Sequence, residues 1–143
     1  MLQVTADAVA LISVAGLWGG MIFFAAVYAP LIFKTLPADT AKQMIRRVFP
    51  VYYLVMGVVS AIGAIALALG STHGSTGPAA MAVVCGAFWF ARQVLMPRIN
   101  RARDDSKSDD DASGMRFKRL HRISVVINAI QLVVVLYVLL VFV

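Results

Sequence analysis

The sequence contains no glutamate, one cysteine and two histidines among its 143 residues. Its seven acidic residues are all aspartates, and none lies inside the long uncharged stretches. Proton relays and cation carriers commonly depend on membrane-embedded Asp or Glu, so this absence argues against a cation-coupled pump. The single Cys85 excludes an intramolecular disulfide, and we interpret it as a small apolar packing residue.

Charged residues as a whole are scarce, whereas apolar residues are abundant. The chain is 61% hydrophobic and 14% charged, which is far from the balance of a water-soluble fold. Three long stretches, at 8–33, 48–91 and 123–143, carry no charge. The composition therefore predicts an integral membrane protein and excludes a soluble domain.

Each uncharged stretch is long enough to cross a bilayer as a helix. The middle one is too long for a single crossing, and turn-forming residues from Gly70 to Pro78 divide it into two. Pro50 and Pro78 are expected in the first turns of spans two and three, where a missing N–H costs nothing. A lone segment in lipid must satisfy its own backbone, so the valine-rich last stretch is also predicted to be helical. The predicted fold is all-α, a single domain (1–143) forming an antiparallel bundle of four transmembrane helices at about 8–33, 49–69, 78–96 and 123–143.

Lysine and arginine are distributed very unevenly between the connections. Four lie between spans one and two and eight between spans three and four, whereas the N-terminal tail and the loop around His73 have none. By the positive-inside rule, the two basic connections face the cytoplasm and both termini lie outside. We expect a bacterial cytoplasmic (inner) membrane protein whose basic loops contact anionic phospholipid headgroups. This orientation explains the net charge of +6, so no nucleic-acid partner is expected.

The two cytoplasmic connections differ in composition. Pro37 and Asp39 are typical of a helix start, which predicts a short helix at about 37–47 lying along the membrane surface. The segment at about 104–114 is rich in aspartate and serine and has no periodicity, which predicts a flexible acidic linker. It lacks the terminal glutamate of a calcium-binding loop.

Span four carries a stripe of polar residues that enters the membrane from the cytoplasmic side. At 100° per residue one face carries His121, Ser124, Asn128 and Gln131. Polar side chains inside a span face the bundle rather than lipid. Arg92, in span three, lies at a similar depth, and no span contains an acidic residue to neutralise it. Either a lipid phosphate reached by snorkelling or an anionic ligand in an inward-facing pocket would do so. The candidate ligand-binding residues are Arg92, Asn128, Ser124, Gln131, Tyr28, Tyr53 and His121.

Small residues recur at four-residue spacing on spans one and two, a pattern that allows helices to approach closely. Contacts within the bundle and homodimerisation would both produce it, so a homo-oligomer or a larger membrane complex stays open. Trp18 lies near the middle of span one, where its indole N–H needs a partner, and Gln131 has a similar depth. The residues predicted to pack helices together are Gly16, Gly20, Gly57 and Ala61.

Ligands for a metal ion or a haem group are few. His121 and Met96, at the same membrane face, could form part of a soft-metal or axial haem site, whereas His73 would lie about 30 Å away across the hydrocarbon. No metal site and no cofactor is predicted, and haem or copper bound through His121 is the alternative. No nucleophile and base pair is found, so no catalytic residue is named and no enzymatic activity is expected.

Several segments together resemble one family of membrane proteins, and they cover nearly the whole chain. These are Gly16 to Gly20, Ala29 to Phe33, Val48 to Tyr53, Met96 to Asn100, and Phe117 to Ser124 with Asn128. On these segments the chain resembles the transmembrane protein 205-like family, whose domain has unknown function; the resemblance implies a four-helix bundle and assigns no activity. The helix arrangement is more distantly similar to copper-resistance CopD-like proteins and to haem-binding membrane protoporphyrinogen oxidases, although span one lacks the histidine expected in that oxidase group.

The expected function is that of a small, non-enzymatic integral membrane protein. It would act as an accessory or scaffold element, or handle a small solute at an inward-facing polar cluster. The alternative is a haem- or copper-linked membrane redox or metal-handling protein that uses His121.

Overall fold

The structure, a computed structural model, describes residues 2–70, 75–105 and 111–141. Within these ranges almost every residue is helical, and no β-strand occurs. The predicted all-α fold is therefore confirmed. The elements are α1 (Leu2–Ile22), a first π-helical segment (Phe23–Tyr28), α2 (Ala29–Thr35), α3 (Ala38–Leu69), α4 (Thr76–Phe90), a second π-helical segment (Ala91–Leu95), α5 (Met96–Asp105) and α6 (Asp111–Val141).

Four helical stretches are long and apolar enough to cross a membrane, in agreement with the predicted number of spans. Span one joins α1, the first π-helical segment and α2, and span two is α3. Span three joins α4, the second π-helical segment and α5, and span four is most of α6. Their bounds are Val4–Thr35, Ala38–Leu69, Thr76–Asp105 and Gly114–Val141.

The first two spans run in opposite directions. A Cβ placed on Gly20 of α1 would meet Met56 of α3. A Cβ placed on Gly63 of α3 would meet Ser13 of α1. Because higher numbers on one helix face lower numbers on the other, the two helices are antiparallel. We call the end of the bundle where α2 and α5 end, and where α3 and α6 begin, the basic end, since most lysine and arginine residues lie there.

Apolar side chains from all four spans fill the bundle interior. Leu17, Leu67, Phe88 and Val135, one from each span, are at most 1% exposed. Helices in lipid associate by close packing and interhelical hydrogen bonds, because lipid is as apolar as the side chains. Span four is the least covered: 17% of its most apolar window is buried, against 39% for span two. It is therefore attached to the other three by a smaller interface.

Two prolines explain where the helices widen into π-helical segments. Pro30 and Pro97 each stand two residues after the end of such a segment. Proline has no backbone N–H, and its ring clashes with the carbonyl four residues earlier in a regular α-helix. A π-helical turn moves that carbonyl aside and lets the helix continue. Tyr28 and Arg92, two of the predicted site residues, lie within these segments.

Pro50 has no such effect, and α3 is continuous from Ala38 to Leu69. The predicted separate surface helix at about 37–47 is instead the first part of α3, and the expectation that Pro50 lies in a first turn is wrong. Membrane helices tolerate interior prolines because neighbouring groups satisfy the freed backbone. Ala41 and Ile45, both buried, keep this part of α3 packed on the protein. Pro78 does lie in the first turn of its helix.

The segment predicted as a flexible linker is helical at both ends. α5 continues to Asp105 and α6 begins at Asp111; residues 106–110 lie outside the described residues, as does His73. Asp104 accepts hydrogen bonds from both terminal nitrogens of Arg46, at 2.9 and 2.8 Å. Such a bidentate pair has a fixed geometry, so it holds the end of α5 against α3. It therefore stabilises a helix at Asp104, where the composition predicted a flexible linker.

Candidate functional site

Aromatic rings from three spans meet in the bundle interior near the basic end. Phe24 stacks on Tyr52 with centroids 4.1 Å apart and on Tyr28 at 5.4 Å. Tyr53 contacts Phe88 with centroids 6.3 Å apart. Ring pairs of this kind contribute about 0.5–1.5 kcal/mol beyond their buried area. We call this group the aromatic cluster; its members are Phe24, Tyr28, Phe49, Tyr52, Tyr53 and Phe88.

The Tyr52 hydroxyl is a polar group inside this apolar cluster. Tyr52 is 7% exposed, and the side chain of Asn128, half-buried on α6, lies beside its hydroxyl. Asn128 is within interaction range of that oxygen, but no described residue forms a hydrogen bond of good geometry with it. An unpaired buried hydroxyl costs about 1–3 kcal/mol. Tyr52 and Asn128 therefore form a polar site that the described residues leave incomplete.

A second unpaired donor lies deeper in the bundle. The Trp18 indole N–H is buried and finds no partner within 2–70, 75–105 and 111–141. Gln131, which is 4% exposed, donates its amide N–H to the Val84 carbonyl at 3.1 Å. The predicted hydrogen bond between Trp18 and Gln131 is therefore wrong, because the Gln131 side chain turns toward α4 rather than α1.

Arg92 is bound by α3 and not by the aromatic cluster. Its Nε donates to the Pro50 carbonyl at 3.3 Å, and its guanidinium carbon lies 5.8 Å from the centre of the Trp89 ring. Trp89 is 38% exposed, and Arg92 is half-buried. Among the described residues no salt bridge to Arg92 occurs. Within the described part of the chain, its positive charge is stabilised by this carbonyl and this ring.

At the basic end, His121 is linked to α5 through Phe117, whereas Ser124 bonds within α6. The exposed His121 ring stacks on Phe117 with centroids 5.9 Å apart. Phe117 in turn has the Arg103 guanidinium carbon 4.8 Å from its ring centre. The Ser124 hydroxyl donates to the His121 carbonyl at 2.7 Å, within its own helix. In this part of the polar stripe, His121 packs on Phe117 at the contact with α5, and Ser124 bonds to the main chain of its own helix.

The structure thus divides the seven predicted ligand-binding residues into two groups. Some belong to the aromatic cluster or lie beside it, and the others are engaged elsewhere by the contacts described above. The first group is Tyr28, Tyr53 and Asn128; the second is Gln131, Arg92, Ser124 and His121.

Tyr52 is the site residue that sequence reasoning missed. The prediction selected polar side chains by depth, and depth alone preferred Tyr53. Phe49, Tyr52 and Tyr53 stand at positions i, i+3 and i+4, which places all three on one helix face. Aromatic residues at this spacing were the signal in the sequence, and it pointed to a ring cluster rather than to a charged pocket.

The residues proposed for metal or haem binding have different environments in the structure. In the part of the chain that the structure describes, no three His, Cys, Asp or Glu side chains are close enough to hold a metal ion. Met96 is 9% exposed and belongs to the core, whereas His121 is exposed. The Cys85 thiol donates to the Gly57 carbonyl at 3.4 Å. The alternative of haem or copper bound through His121, with Met96, stays a prediction.

Contacts within the bundle account for two of the four predicted packing residues. A Cβ on Gly20 would lie 2.8 Å from Met56 Cε, and one on Gly57 would lie 3.4 Å from Trp89 Nε1. Ala61 is half-buried. A Cβ on Gly16 would meet nothing within 4 Å in the described structure. Gly20 and Gly57 therefore allow close helix packing, while Gly16 lies on an open surface of α1.

Residues 12–108 match a family model described as "Domain of unknown function (DUF4149)". The chain belongs to this family. The DUF4149 region contains the whole aromatic cluster and both π-helical segments, whereas Asn128 and Gln131 on α6 follow it. No curated protein and no solved structure matches the chain. The narrower resemblance to transmembrane protein 205-like and CopD-like proteins stays a prediction.

Proposed function

We propose that this DUF4149 protein is a non-enzymatic accessory protein of the membrane that handles a small uncharged solute at the aromatic cluster. The observation that carries the proposal is the unpaired Tyr52 hydroxyl, buried beside Asn128. Buried polar groups in proteins are nearly always hydrogen-bonded. A solute with a hydroxyl or carbonyl group would complete the bond that the described residues leave unmade.

The chemistry of the site favours a neutral ligand with an aromatic or aliphatic body. A phenolic hydroxyl and a carboxamide can each donate and accept a hydrogen bond. Together they can bind a solute group that accepts a hydrogen bond, such as a carbonyl, or one that also donates, such as a hydroxyl. The core around them contains no charged side chain, and an ion would lose its hydration there without compensation. Phe24 and Phe88, whose rings contact Tyr52, give the apolar part of the solute an aromatic environment.

The way the site is constructed supports a binding role. Asn128 is supplied by α6, the least covered span, so a small displacement of that helix would open the site with little loss of packing. Phe24 and Tyr28 lie in a π-helical segment, a local structure that is frequent at functional sites. These features favour exchange of a small molecule over a purely structural role for the cluster.

We also propose that the basic end faces the cytoplasm of a bacterial inner membrane. The unequal distribution of lysine and arginine between the connections supports this orientation. The site would then be closer to the cytoplasmic than to the external surface. Basic side chains around it would contact anionic headgroups.

Ligand-observed NMR on the protein in nanodiscs tests the proposed site, with benzyl alcohol and toluene as probes and empty nanodiscs as background. Both probes carry a phenyl ring, but only benzyl alcohol has a hydroxyl group. We expect saturable binding of benzyl alcohol and about tenfold weaker binding to Tyr52→Phe, equivalent to one hydrogen bond. Toluene binding should be the same in both proteins.

Tyr137→Phe is the matched control, because it removes the same hydroxyl from a tyrosine of α6 that is 60% exposed. It should leave the binding of both probes unchanged. Tyr52→Phe should also not lower the melting temperature, since the hydroxyl that it removes is unpaired. Equal benzyl alcohol affinity in wild type and Tyr52→Phe, or no saturable binding to either, would contradict the proposal.

A further inference from the structure

The contacts of Arg92 leave most of its hydrogen-bonding capacity unused. A guanidinium group has five N–H donors. Among the described residues, the donor on Nε is the one that is bound, to the Pro50 carbonyl. The four donors on the terminal nitrogens have no acidic partner in the described ranges. A charge at membrane depth requires an anionic or strongly polar partner. That partner must come from outside the described part of the chain.

The side chain of Arg92 points toward the basic end of the bundle. On the antiparallel helix α3, Gly57 faces Phe88 and Trp89 of α4, so the level of Arg92 corresponds to about residue 53. Arg92 nevertheless bonds to Pro50, three residues or about 4.5 Å of helix nearer the basic end. This is the direction in which a snorkelling arginine reaches lipid headgroups.

The same face of the protein is open toward lipid. Trp89, three residues before Arg92 and on the same helix face, is 38% exposed, and at this depth an exposed ring contacts lipid rather than water. Arg92 itself is half-buried between Trp89 and Pro50. An anion can therefore approach its terminal nitrogens from the surrounding membrane, without entering the bundle interior.

A second cation stands close to this position along α3. Arg47 is exposed and lies three residues before Pro50, on the same helix face and one turn nearer the basic end. A phosphate placed between Arg47 and Arg92 would contact one guanidinium group from α3 and one from span three. Trp89 is of the residue type that prefers the boundary between headgroups and hydrocarbon.

We propose that Arg92, oriented by the Pro50 carbonyl, binds the phosphate of an anionic phospholipid in a specific site on the outer face of α3 and α4. Arg47 adds a second positive charge, and the Trp89 ring packs against the part of the lipid next to its headgroup. The site is separate from the aromatic cluster and does not rest on the function proposed above. In this proposal the anion that binds Arg92 is a lipid phosphate and not a soluble ligand.

Native mass spectrometry of the detergent-solubilised protein tests this site. The probes are phosphatidylglycerol and phosphatidylcholine with identical acyl chains, added at equal concentrations. We expect one phosphatidylglycerol to bind at least about tenfold more tightly than phosphatidylcholine, because the choline cation of phosphatidylcholine offsets the phosphate charge and is repelled by Arg92 and Arg47. Arg92→Gln should abolish this preference. Arg101→Gln, which removes the same charge from an exposed position on α5, should retain it.

Arg92→Lys tests whether the geometry of the arginine matters in addition to its charge. Inorganic phosphate tests whether the site binds a whole lipid or any phosphate anion. Lysine keeps the positive charge but lacks the planar fork that bonds to Pro50 and holds a phosphate at the same time. In Arg92→Lys the preference for phosphatidylglycerol over phosphatidylcholine should therefore fall about threefold. This variant is used if Arg92→Gln fails to fold. Phosphate at equal concentration should not raise the melting temperature, whereas phosphatidylglycerol should. Retention of the full preference in the folded Arg92→Gln or Arg92→Lys protein, or equal stabilisation by inorganic phosphate, would overturn the proposal.

Discussion

Gln131 of α6 donates its side-chain amide N–H to the main-chain carbonyl of Val84 in α4, and both residues are at most 4% exposed. The bond lies inside a bundle whose interior is otherwise mostly apolar. Packing between apolar surfaces leaves the rotation of a helix weakly determined, whereas an interhelical hydrogen bond fixes one side chain against one turn. This bond therefore sets how α6 is rotated and how deep it sits.

Replacing Gln131 by Leu should lower the melting temperature of the protein in detergent. Interhelical hydrogen bonds in membrane proteins contribute about 0.6 kcal/mol on average and up to about 1.7 kcal/mol, so the expected loss lies in this range. Gln43→Leu, at an exposed position near the start of α3, is the control and should have little effect. A melting temperature that is the same in all three proteins would show that the bond contributes nothing.

Gly63→Leu should be far more destabilising than Gly16→Leu. A Cβ on Gly63 would lie 3.1 Å from Met81 Cε and 3.3 Å from Ser13 Cβ, while one on Gly16 would meet nothing within 4 Å. Overpacking of a tight interface typically costs about 1–3 kcal/mol. Thermal unfolding in detergent measures the difference. If Gly16→Leu proved equally harmful, the surface of α1 around Gly16 would be an interface between copies of the protein.

The ion pair between Arg46 and Asp104 should contribute a small and salt-sensitive stabilisation. Both side chains are 45% exposed, and exposed pairs are worth about 0.2–1 kcal/mol. Arg46→Asp and Asp104→Arg should each lower the melting temperature, and the double exchange should restore part of the loss. In about 1 M salt, where charges are screened within about 3 Å, the restoration should disappear. Restoration that persists at high salt would point to packing instead.

Cysteine labelling in intact cells tests the orientation. In a Cys85→Ala background, single cysteines replace Ser75 and Lys118, which lie at opposite ends of the bundle and are exposed. We expect a membrane-impermeant maleimide to label the cysteine at 75 in intact cells, and the one at 118 only after permeabilisation. The reverse pattern would place the basic end outside the cell.

The number, type and order of the spans could be predicted because hydrocarbon thickness and backbone satisfaction leave few alternatives. The ends of the helices could not. Pro50 reads locally as a helix start, yet Ala41 and Ile45 are buried and their packing extends α3 past it. The aspartate-rich segment has the composition of a linker, but Asp104 pairs with Arg46, which lies more than fifty residues away in the sequence. Local composition does not show such a distant partner.

The candidate site was predicted less well, for two physical reasons. The helical wheel assumes 100° per residue, and the π-helical segments that contain Tyr28 and Arg92 depart from it. Depth estimates also say nothing of which neighbour a side chain turns to. Arg92 and Gln131 both bind main-chain carbonyls, of Pro50 and Val84, and a carbonyl partner has no signature in the sequence.

The small covered area of α6 makes the bilayer itself part of the site. Its apolar part, residues 123–141, is about 28 Å of helix, which nearly equals the hydrocarbon thickness of about 30 Å. A thinner bilayer would tilt such a helix and a thicker one would straighten it, and beyond the Gln131–Val84 bond α6 has less protein contact than the other spans to resist either change. Because α6 carries Asn128 to the Tyr52 hydroxyl, the length of the surrounding acyl chains would tune how open the aromatic cluster is.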